Sequence, residues 1–262
     1  MYQYFFALFC CWAIVLPAAS LQAQCNHDDN SVDAWYSWFK GYENQLVDYF
    51  PLSERDEMII GDSVHLEMAK QFKLSDKYER QSYLDGIVKR LSPHVERKNI
   101  RYHIHVIDDN RTLNAFSIAG GHLYVTSKMV EWTESEDELA FVIAHEMAHA
   151  DQKHGIRKVQ KVLLGETLGE AYLGKGWGEY GKLAGQMANA APYGQTDEYE
   201  ADREGASLAN KAGYDPRKGL RFFEKMGAKE NYDMFEKIVR SHPYSAERLK
   251  CLDIYLREEL NR

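Results

Sequence analysis

Apolar residues recur at intervals of three and four along much of the chain, which is the spacing of one face of an α-helix. Over residues 32–50 that face is largely aromatic, and the pattern predicts an amphipathic helix. Its polar face is poor in Lys and Arg, so we favour packing against the rest of the chain over binding to a membrane surface or a partner. Two more helices are predicted, over residues 53–72 and 75–91.

The period changes to two between Arg101 and Ser127, which predicts the strands of a small sheet. His103 and His105 project from the same face of the first strand, where two imidazoles can share a metal ion. No third ligand is evident nearby in the sequence, so a solvated sheet face is the favoured interpretation.

Helical spacing returns in the segment that contains His145-Glu146-Met147-Ala148-His149. Side chains four positions apart lie on one face of a helix, so His145 and His149 can hold the same metal ion. Zinc accepts imidazole nitrogen, and a catalytic zinc site keeps one position for water. Glu146 is placed to take the proton of that water. The competing interpretation is two surface histidines that fall four positions apart by accident.

Sequence signals at both ends support this helix. Ser135 and Glu138 have the spacing of a capping box before the first turn. Lys153, His154 and Gly155 are typical of a helix end. We therefore place the pentapeptide in the middle of a helix that is buried on one side.

A third protein ligand is needed to complete a zinc site, and acidic residues are concentrated on a later helix, predicted over residues 197–212. Glu198 and Asp202 are four apart, so one can bind the metal while the other hydrogen-bonds a ligating histidine. Glu200 and Glu204 offer the same geometry on another face. Spacing alone does not separate the two pairs, and a solvated acidic face is a third interpretation.

Between the motif helix and this acidic helix lies a glycine-spaced segment, residues 162–191. Lys, Glu and Tyr interrupt it too often for a membrane span. We interpret it as a helical hairpin or lid beside the site.

The first 24 residues carry no charged side chain, and residues 5–16 form an apolar run that stops at Pro17. The run is too short to span a bilayer and is typical of a signal peptide, which we predict over residues 1–23. A retained membrane anchor is the alternative, because the segment lacks an initial Lys or Arg. Lipidation at Cys25 is disfavoured, since Gln24 precedes it where a small residue is expected.

With 40 acidic and 32 basic side chains the net charge is −8, and nothing suggests a nucleic-acid partner. We assign the aromatic helix to residues 24–50 and one further domain to residues 51–262. Cys25 and Cys251 remain as an even pair once the signal peptide is removed. In an exported protein such a pair predicts a disulfide that joins the two ends of the mature chain.

Four motifs together resemble the HtpX, BepA, LoiP and Oma-type zinc metalloendopeptidases, a family with an ExxxD pattern after HExxH. The motifs are, in order, Asn114-Ala115-Phe116 with 120–126, the pentapeptide at 145–149, 198–205 followed by 212–216, and Ser241-His242-Pro243 with Arg248. The aromatic helix before residue 50 has no counterpart that we can assign, and no tetratricopeptide repeats follow. The layout is closest to a compact, LoiP-like periplasmic protease.

The resemblance implies an α+β, mostly helical fold with a single zincin-like metallopeptidase domain over residues 51–262. A small antiparallel-edged sheet is expected beside the HExxH helix. One zinc ion per chain would be held by His145, His149 and Glu198. Asp202 would hydrogen-bond a ligating histidine.

In the implied mechanism Glu146 acts as general base and then as general acid. We expect His242 and Arg248 to stabilise the tetrahedral oxyanion or to guard the metal. The strand beside the active-site cleft is expected to hold an extended substrate by main-chain hydrogen bonds. Its residues are Gly121, His122, Leu123 and Tyr124.

The implied function is the hydrolysis of unfolded or misfolded cell-envelope proteins by an exported, periplasmic protease, as part of protein quality control. Peripheral association with the membrane, or with outer-membrane assembly proteins, would fit that setting. The alternative is a zinc-containing chaperone or assembly factor with little proteolytic activity. It predicts a closed site with four protein ligands, His242 being the fourth, and no need of Glu146.

Overall fold

The computed structural model describes residues 52–75, 78–161, 193–227, 232–243 and 246–260. In chain order these residues form α1 (Glu54–Gln71), α2 (Gln81–Leu91), β1 (His103–Ile107), β2 (Ala115–Ser117), β3 (His122–Thr126), α3 (Ser127–Trp132), α4 (Glu136–Asp151), α5 (Gln195–Lys211), α6 (Arg217–Gly227), α7 (Tyr232–Ser241) and α8 (Ala246–Glu258). Residues 154–161 are also helical. None of the described helices combines the length and the apolar composition that crossing a membrane requires.

The three strands form one sheet in the order β1-β3-β2. β1 runs parallel to β3, with His103 opposite His122. β2 runs antiparallel to β3, with Phe116 opposite Tyr124. The expected fold class is confirmed, since a mostly helical chain surrounds a small sheet with an antiparallel edge.

The two faces of the sheet belong to different apolar clusters. Leu123 and Val125 pack into the larger cluster, together with residues of α2, α4, α5, α6 and α8. Tyr124 and Phe116 pack into a smaller cluster with residues of α1. The sheet therefore separates α4, which carries the pentapeptide, from α1.

The ends of α4 follow the sequence signals in part. Ser135 Oγ accepts a hydrogen bond from the backbone N–H of Glu138 at 3.2 Å, as predicted. The Glu138 carboxylate accepts from Glu134 N–H at 2.7 Å instead of closing the box on Ser135. α4 ends at Asp151, and Lys153 has a φ of 64° before the chain becomes helical again at residue 154. That left-handed turn folds the next residues back beside α4.

One predicted helix is longer than the observed one, and three other predicted segments lie outside the described residues. The helix predicted over residues 75–91 begins only at Gln81, after a turn. The predicted signal peptide (1–23), the aromatic helix (24–50) and the glycine-spaced segment (162–191) lie outside the described residues. These assignments and the domain boundaries remain predictions.

Candidate active site

α4 presents both histidines of the pentapeptide and the glutamate between them, and all three side chains are buried. The Nε2 atoms of His145 and His149 lie 3.1 Å apart. Two ligands of a tetrahedral zinc ion, each at 2.0–2.1 Å from it, lie about 3.3 Å apart. The predicted pair is therefore spaced to hold one ion.

α5 brings Glu198, the predicted third ligand, to the two histidines. Its Oε1 lies 3.4 Å from His149 Nε2, and its Oε2 lies 3.6 Å from His145 Nε2. The Glu198 side chain is 1% exposed, whereas that of Glu200 is 40% exposed and contacts His154. Of the two pairs that spacing left open, the structure brings Glu198 with Asp202 to the histidines.

A glycine on α5 lets this helix approach α4 closely enough for Glu198 and Asp202 to reach the histidines. A Cβ built on Gly205 would lie 2.9 Å from the backbone N and Cα of His145, closer than real Cβ atoms come to such atoms. The two helices thus touch backbone to backbone at the first histidine. Glu198 and Asp202, which precede Gly205 on the same helix, then meet the imidazoles.

Each ligating histidine has a polar neighbour at its other ring nitrogen. Asp202 Oδ1 lies 3.0 Å from His145 Nδ1, beside the histidine that it was predicted to contact, but the two groups do not have hydrogen-bond geometry. His149 Nδ1 lies 2.9 Å from His154 Nδ1, and His154 Nε2 lies 3.2 Å from Glu200 Oε2. With the proton on Nδ1 of each ring, both Nε2 atoms keep a lone pair for the metal.

The sequence indicated His154 only as part of a helix end and not as a residue of the site. Its contact with His149 depends on the left-handed turn at Lys153, which no periodicity indicates. Tyr193 is another residue that the sequence did not single out. Its ring stacks on His149, with 3.8 Å between the ring centroids and 19° between the planes.

Arg248 lies behind the carboxylates. Its Nη2 and Nε contact the two oxygens of Asp202 at 2.7 and 2.8 Å, and its Nη1 lies 2.6 Å from Glu198 Oε2. Burial alone would lower the pKa of Arg248, but Asp202 and Glu198 raise it. The expectation of an oxyanion donor is corrected, because the guanidinium is occupied by these two carboxylates and orients them.

Glu198 is held as a carboxylate by its neighbours. Burial would raise the pKa of Glu198, but the charges of His242 and Arg248 lower it well below its ordinary value. An ionised carboxylate is the form that binds zinc. The local electrostatics therefore favour Glu198 as a ligand.

His242 lies against the same group. Its Nδ1 lies 3.0 Å from Glu198 Oε1 and 3.3 Å from His145 Nε2. With His145, His149 and Glu198 it forms a buried set of four whose ligand atoms all lie within 4.8 Å of one another. Its Nε2 lies 3.3 Å from Glu146 Oε1. His242 is thus placed both to complete a ligand set and to face the reacting groups.

Glu146 has the surroundings of a general base. Its Oε2 is buried, and no hydrogen-bond partner is found for that atom among the described residues. A buried polar atom without a partner is costly, so it marks a place where a ligand or water is expected. Imidazole nitrogens and a carboxylate oxygen around one point form a donor set that suits zinc.

The strand chosen for substrate binding lies in the wrong place for that role. β3, which contains His122, Leu123 and Tyr124, is the central strand and pairs with both neighbours. Its main-chain groups are therefore not available to a substrate. β2 is the edge strand on that side, and its Ser117 hydrogen-bonds Tyr193, the residue that stacks on His149.

Cys251, on α8, is disulfide-bonded. Cys25 lies outside the described residues, so the pairing of these two cysteines stays a prediction.

The sequence model of Peptidase family M48 matches residues 78–255. The chain belongs to this family. It is 27% identical to the "Beta-barrel assembly-enhancing protease" of Yersinia pestis over 212 residues, 76% of this chain and 43% of that protein. It is 29% identical to the "Mitochondrial metalloendopeptidase OMA1" of Schizosaccharomyces pombe over 261 residues, 87% of this chain and 74% of that protein.

The "Beta-barrel assembly-enhancing protease" of Escherichia coli is also 27% identical to this chain, and again 43% of its length is matched. The chain therefore spans less than half the length of these assembly-enhancing proteases. The family to which the motifs were compared is confirmed, and the ligand geometry agrees with it.

Proposed function

We propose that this M48 protein is a zinc-dependent endopeptidase. The observation that carries the proposal is the convergence of His145, His149 and Glu198 beside a buried Glu146 oxygen without a partner. Zinc held by these three ligands would polarise the scissile carbonyl and lower the pKa of a water to about 7. Glu146 takes a proton from the attacking water and passes it to the leaving amine.

His242 lies beside the carboxylate of Glu146. Its Nε2 lies 3.3 Å from Glu146 Oε1, on the carboxylate that handles the proton. Burial would lower the pKa of His242, but Glu198 and Glu146 raise it. With a hydrogen on Nε2, the imidazole can donate to the oxyanion that forms during attack.

Unfolded polypeptides are the substrate class that this surface favours. No described strand pairs with the outer edge of β2, so an extended peptide can add to it by main-chain hydrogen bonds. Such bonds accept many sequences but require an extended segment. The cavity beside His145 and Glu146, of about 30 Å³, is too small for a substrate side chain, and it is lined mostly by apolar residues. They include Phe222, Phe223, Met226 and Ile238.

We further propose that the protein is exported and acts on misfolded proteins of the cell envelope, in the periplasm or at the outer membrane. The predicted signal peptide over residues 1–23 supports export. The disulfide at Cys251 supports an oxidising compartment. Similarity to proteases named for β-barrel assembly supports the outer-membrane setting, including peripheral contact with assembly proteins.

The substrate class is tested by digesting one disulfide-free protein in its native state and after irreversible unfolding. We expect the purified chain to cleave the unfolded form at several positions and to leave the native form intact. Equal cleavage of both forms would contradict the preference.

Export is tested by N-terminal sequencing of protein recovered from the periplasm of a host bacterium. We expect about residues 1–23 to have been removed, and an intact Met1 would contradict export.

A zinc-containing chaperone or assembly factor is the second candidate. One observation favours it, since His242 lies close enough to act as a fourth ligand and close the site. It predicts that Glu146→Gln suppresses aggregation of an unfolded protein as well as the wild type does, with no cleavage products from either. Fragments from the wild type alone exclude it.

A further inference from the structure

Three histidines from three elements meet on the face of the sheet opposite α4. His65 comes from α1, His105 from β1 and His122 from β3, and their ligand atoms lie within 4.8 Å of one another. The ring of His65 stacks on the other two, with centroid distances of 4.3 Å to His105 and 4.7 Å to His122. Of the pair His103 and His105 that the sequence offered, His105 belongs to the cluster and His103 does not. His65 and His122 are partners that the sequence did not show.

The cluster is distinct from the catalytic group. His122 and Tyr124 alternate along β3 with Leu123 and Val125, whose side chains pack towards α4. Tyr124 packs instead with α1. The sheet therefore lies between the cluster and the active site.

Polar partners hold two of the rings in the orientation that a metal ligand needs. Asp62 Oδ1 lies 3.1 Å from His122 Nε2. Because the carboxylate accepts the Nε2 proton, Nδ1 of His122 keeps its lone pair. Tyr124 OH lies 2.7 Å from His65 Nδ1, and with that nitrogen donating, Nε2 of His65 is the free one. Contacts of this kind orient the histidines of metal sites.

Two nitrogens of the cluster are already as close together as two ligands of one metal ion. His105 Nε2 lies 3.1 Å from His122 Nδ1, close to the spacing of about 3.3 Å in a tetrahedral zinc site. In the metal-free protein one proton is shared along this contact. A metal ion at this contact binds both nitrogens while His105 carries its proton on Nδ1, and His65, whose ligand atom lies within 4.8 Å of theirs, is the third ligand.

We propose that His65, His105 and His122 bind a second divalent metal ion of the zinc and copper class. Imidazole suits these ions, whereas calcium and magnesium require oxygen ligands. His65 and His105 are only partly buried, so an ion can reach the cluster from solvent.

The ion would fasten α1 to the sheet. α1 contributes His65, together with Asp62 one turn earlier, and it precedes the residues that match the M48 family. β1 and β3 lie within the matched region. A metal bridge between these elements would therefore join a segment outside the family region to the sheet on which the edge strand β2 depends.

The test counts zinc atoms per purified full-length chain after equilibration with Zn²⁺ and removal of free metal. We expect two for the wild type and one for His105→Gln, with cleavage of an unfolded protein unchanged. His103→Gln is the matched control, because His103 lies on the same strand and is exposed but does not belong to the cluster. It should keep both ions.

A second variant, His65→Ala, covers the case in which His105→Gln fails to fold, and circular dichroism checks both. His149→Ala separates the two sites: it should retain one zinc, and adding His105→Gln should remove it. The proposal is overturned if the wild type binds one ion that His149→Ala abolishes and His105→Gln leaves in place. That result would leave the catalytic site intact, so the two proposals fail independently.

Discussion

Glu198 and Glu200 stand two positions apart on α5 and have different tasks. Glu198 faces both ligand histidines, while Glu200 reaches His149 only through His154. We expect Glu198→Ala to weaken zinc binding by more than the 10–100-fold typical of losing an outer partner of a ligand. The matched variant Glu200→Ala should weaken it by no more than about 10-fold. Competition with a zinc chelator measures the zinc affinity of both variants. An equal loss of affinity in both would contradict the assignment of Glu198 as the third ligand.

Arg248 neutralises two buried carboxylates, so its loss should cost stability. Arg248→Met leaves the charges of Glu198 and Asp202 without this cation, and breaking a buried ion pair costs about 3–5 kcal/mol. Arg240→Met is the control, because Arg240 is 76% exposed and its ion pair among the described residues is with Glu236 on its own helix. That change should stay within about 0.5 kcal/mol. Urea unfolding measures the free energy of unfolding, and similar midpoints for both variants would contradict the assigned role.

At the residue scale, local spacing predicted His145, Glu146 and His149 because all three belong to one helix. It could not choose between Glu198 and Glu200, since the choice depends on which face of α5 meets α4. It also missed His154, whose position depends on a left-handed turn at Lys153. Contacts within a helix can thus be predicted from spacing, and contacts between elements cannot.

Gly205 sets the distance between α4 and α5. In Gly205→Ala the new methyl group would meet the backbone of His145 at 2.9 Å, so the helices must separate. Overpacking of this kind costs about 1–3 kcal/mol, and it moves Glu198 away from the histidines. We expect a lower melting temperature together with weaker zinc binding.

Gly86→Ala is the control for that substitution. Gly86 also lies inside a helix, α2, but a Cβ there meets nothing within 4 Å. Alanine should stabilise the protein by about 0.4–1 kcal/mol and leave zinc binding unchanged. Equal behaviour of the two variants in thermal unfolding would show that α4 and α5 are not in tight contact at Gly205.

At the element scale, the strands were predicted but their order was not. Alternation located β1 and β3, and the short β2 was visible only as a family motif. All five residues of β3 are buried, which is typical of a central strand and which alternation of polar and apolar residues does not reveal. The substrate role therefore passes from β3 to the edge strand β2.

At the scale of the whole molecule, the sheet has one face for catalysis and one face for α1. The sequence indicated the mostly helical fold because helical periodicity is strong in long segments. It did not indicate that His65 and His122 join His105, because α1 and the sheet are brought together only by tertiary packing. The same division explains why the catalytic group and the second histidine cluster can be tested separately.

The most direct test of the account is Glu146→Gln compared with the wild type on an unfolded protein, with zinc content measured in both. Glutamine keeps the shape of the side chain but cannot take the proton. We predict that the variant keeps the zinc of the wild type and loses nearly all cleavage. Cleavage at the wild-type rate by a zinc-loaded Glu146→Gln chain would contradict the central claim, as would no cleavage by a zinc-loaded wild type.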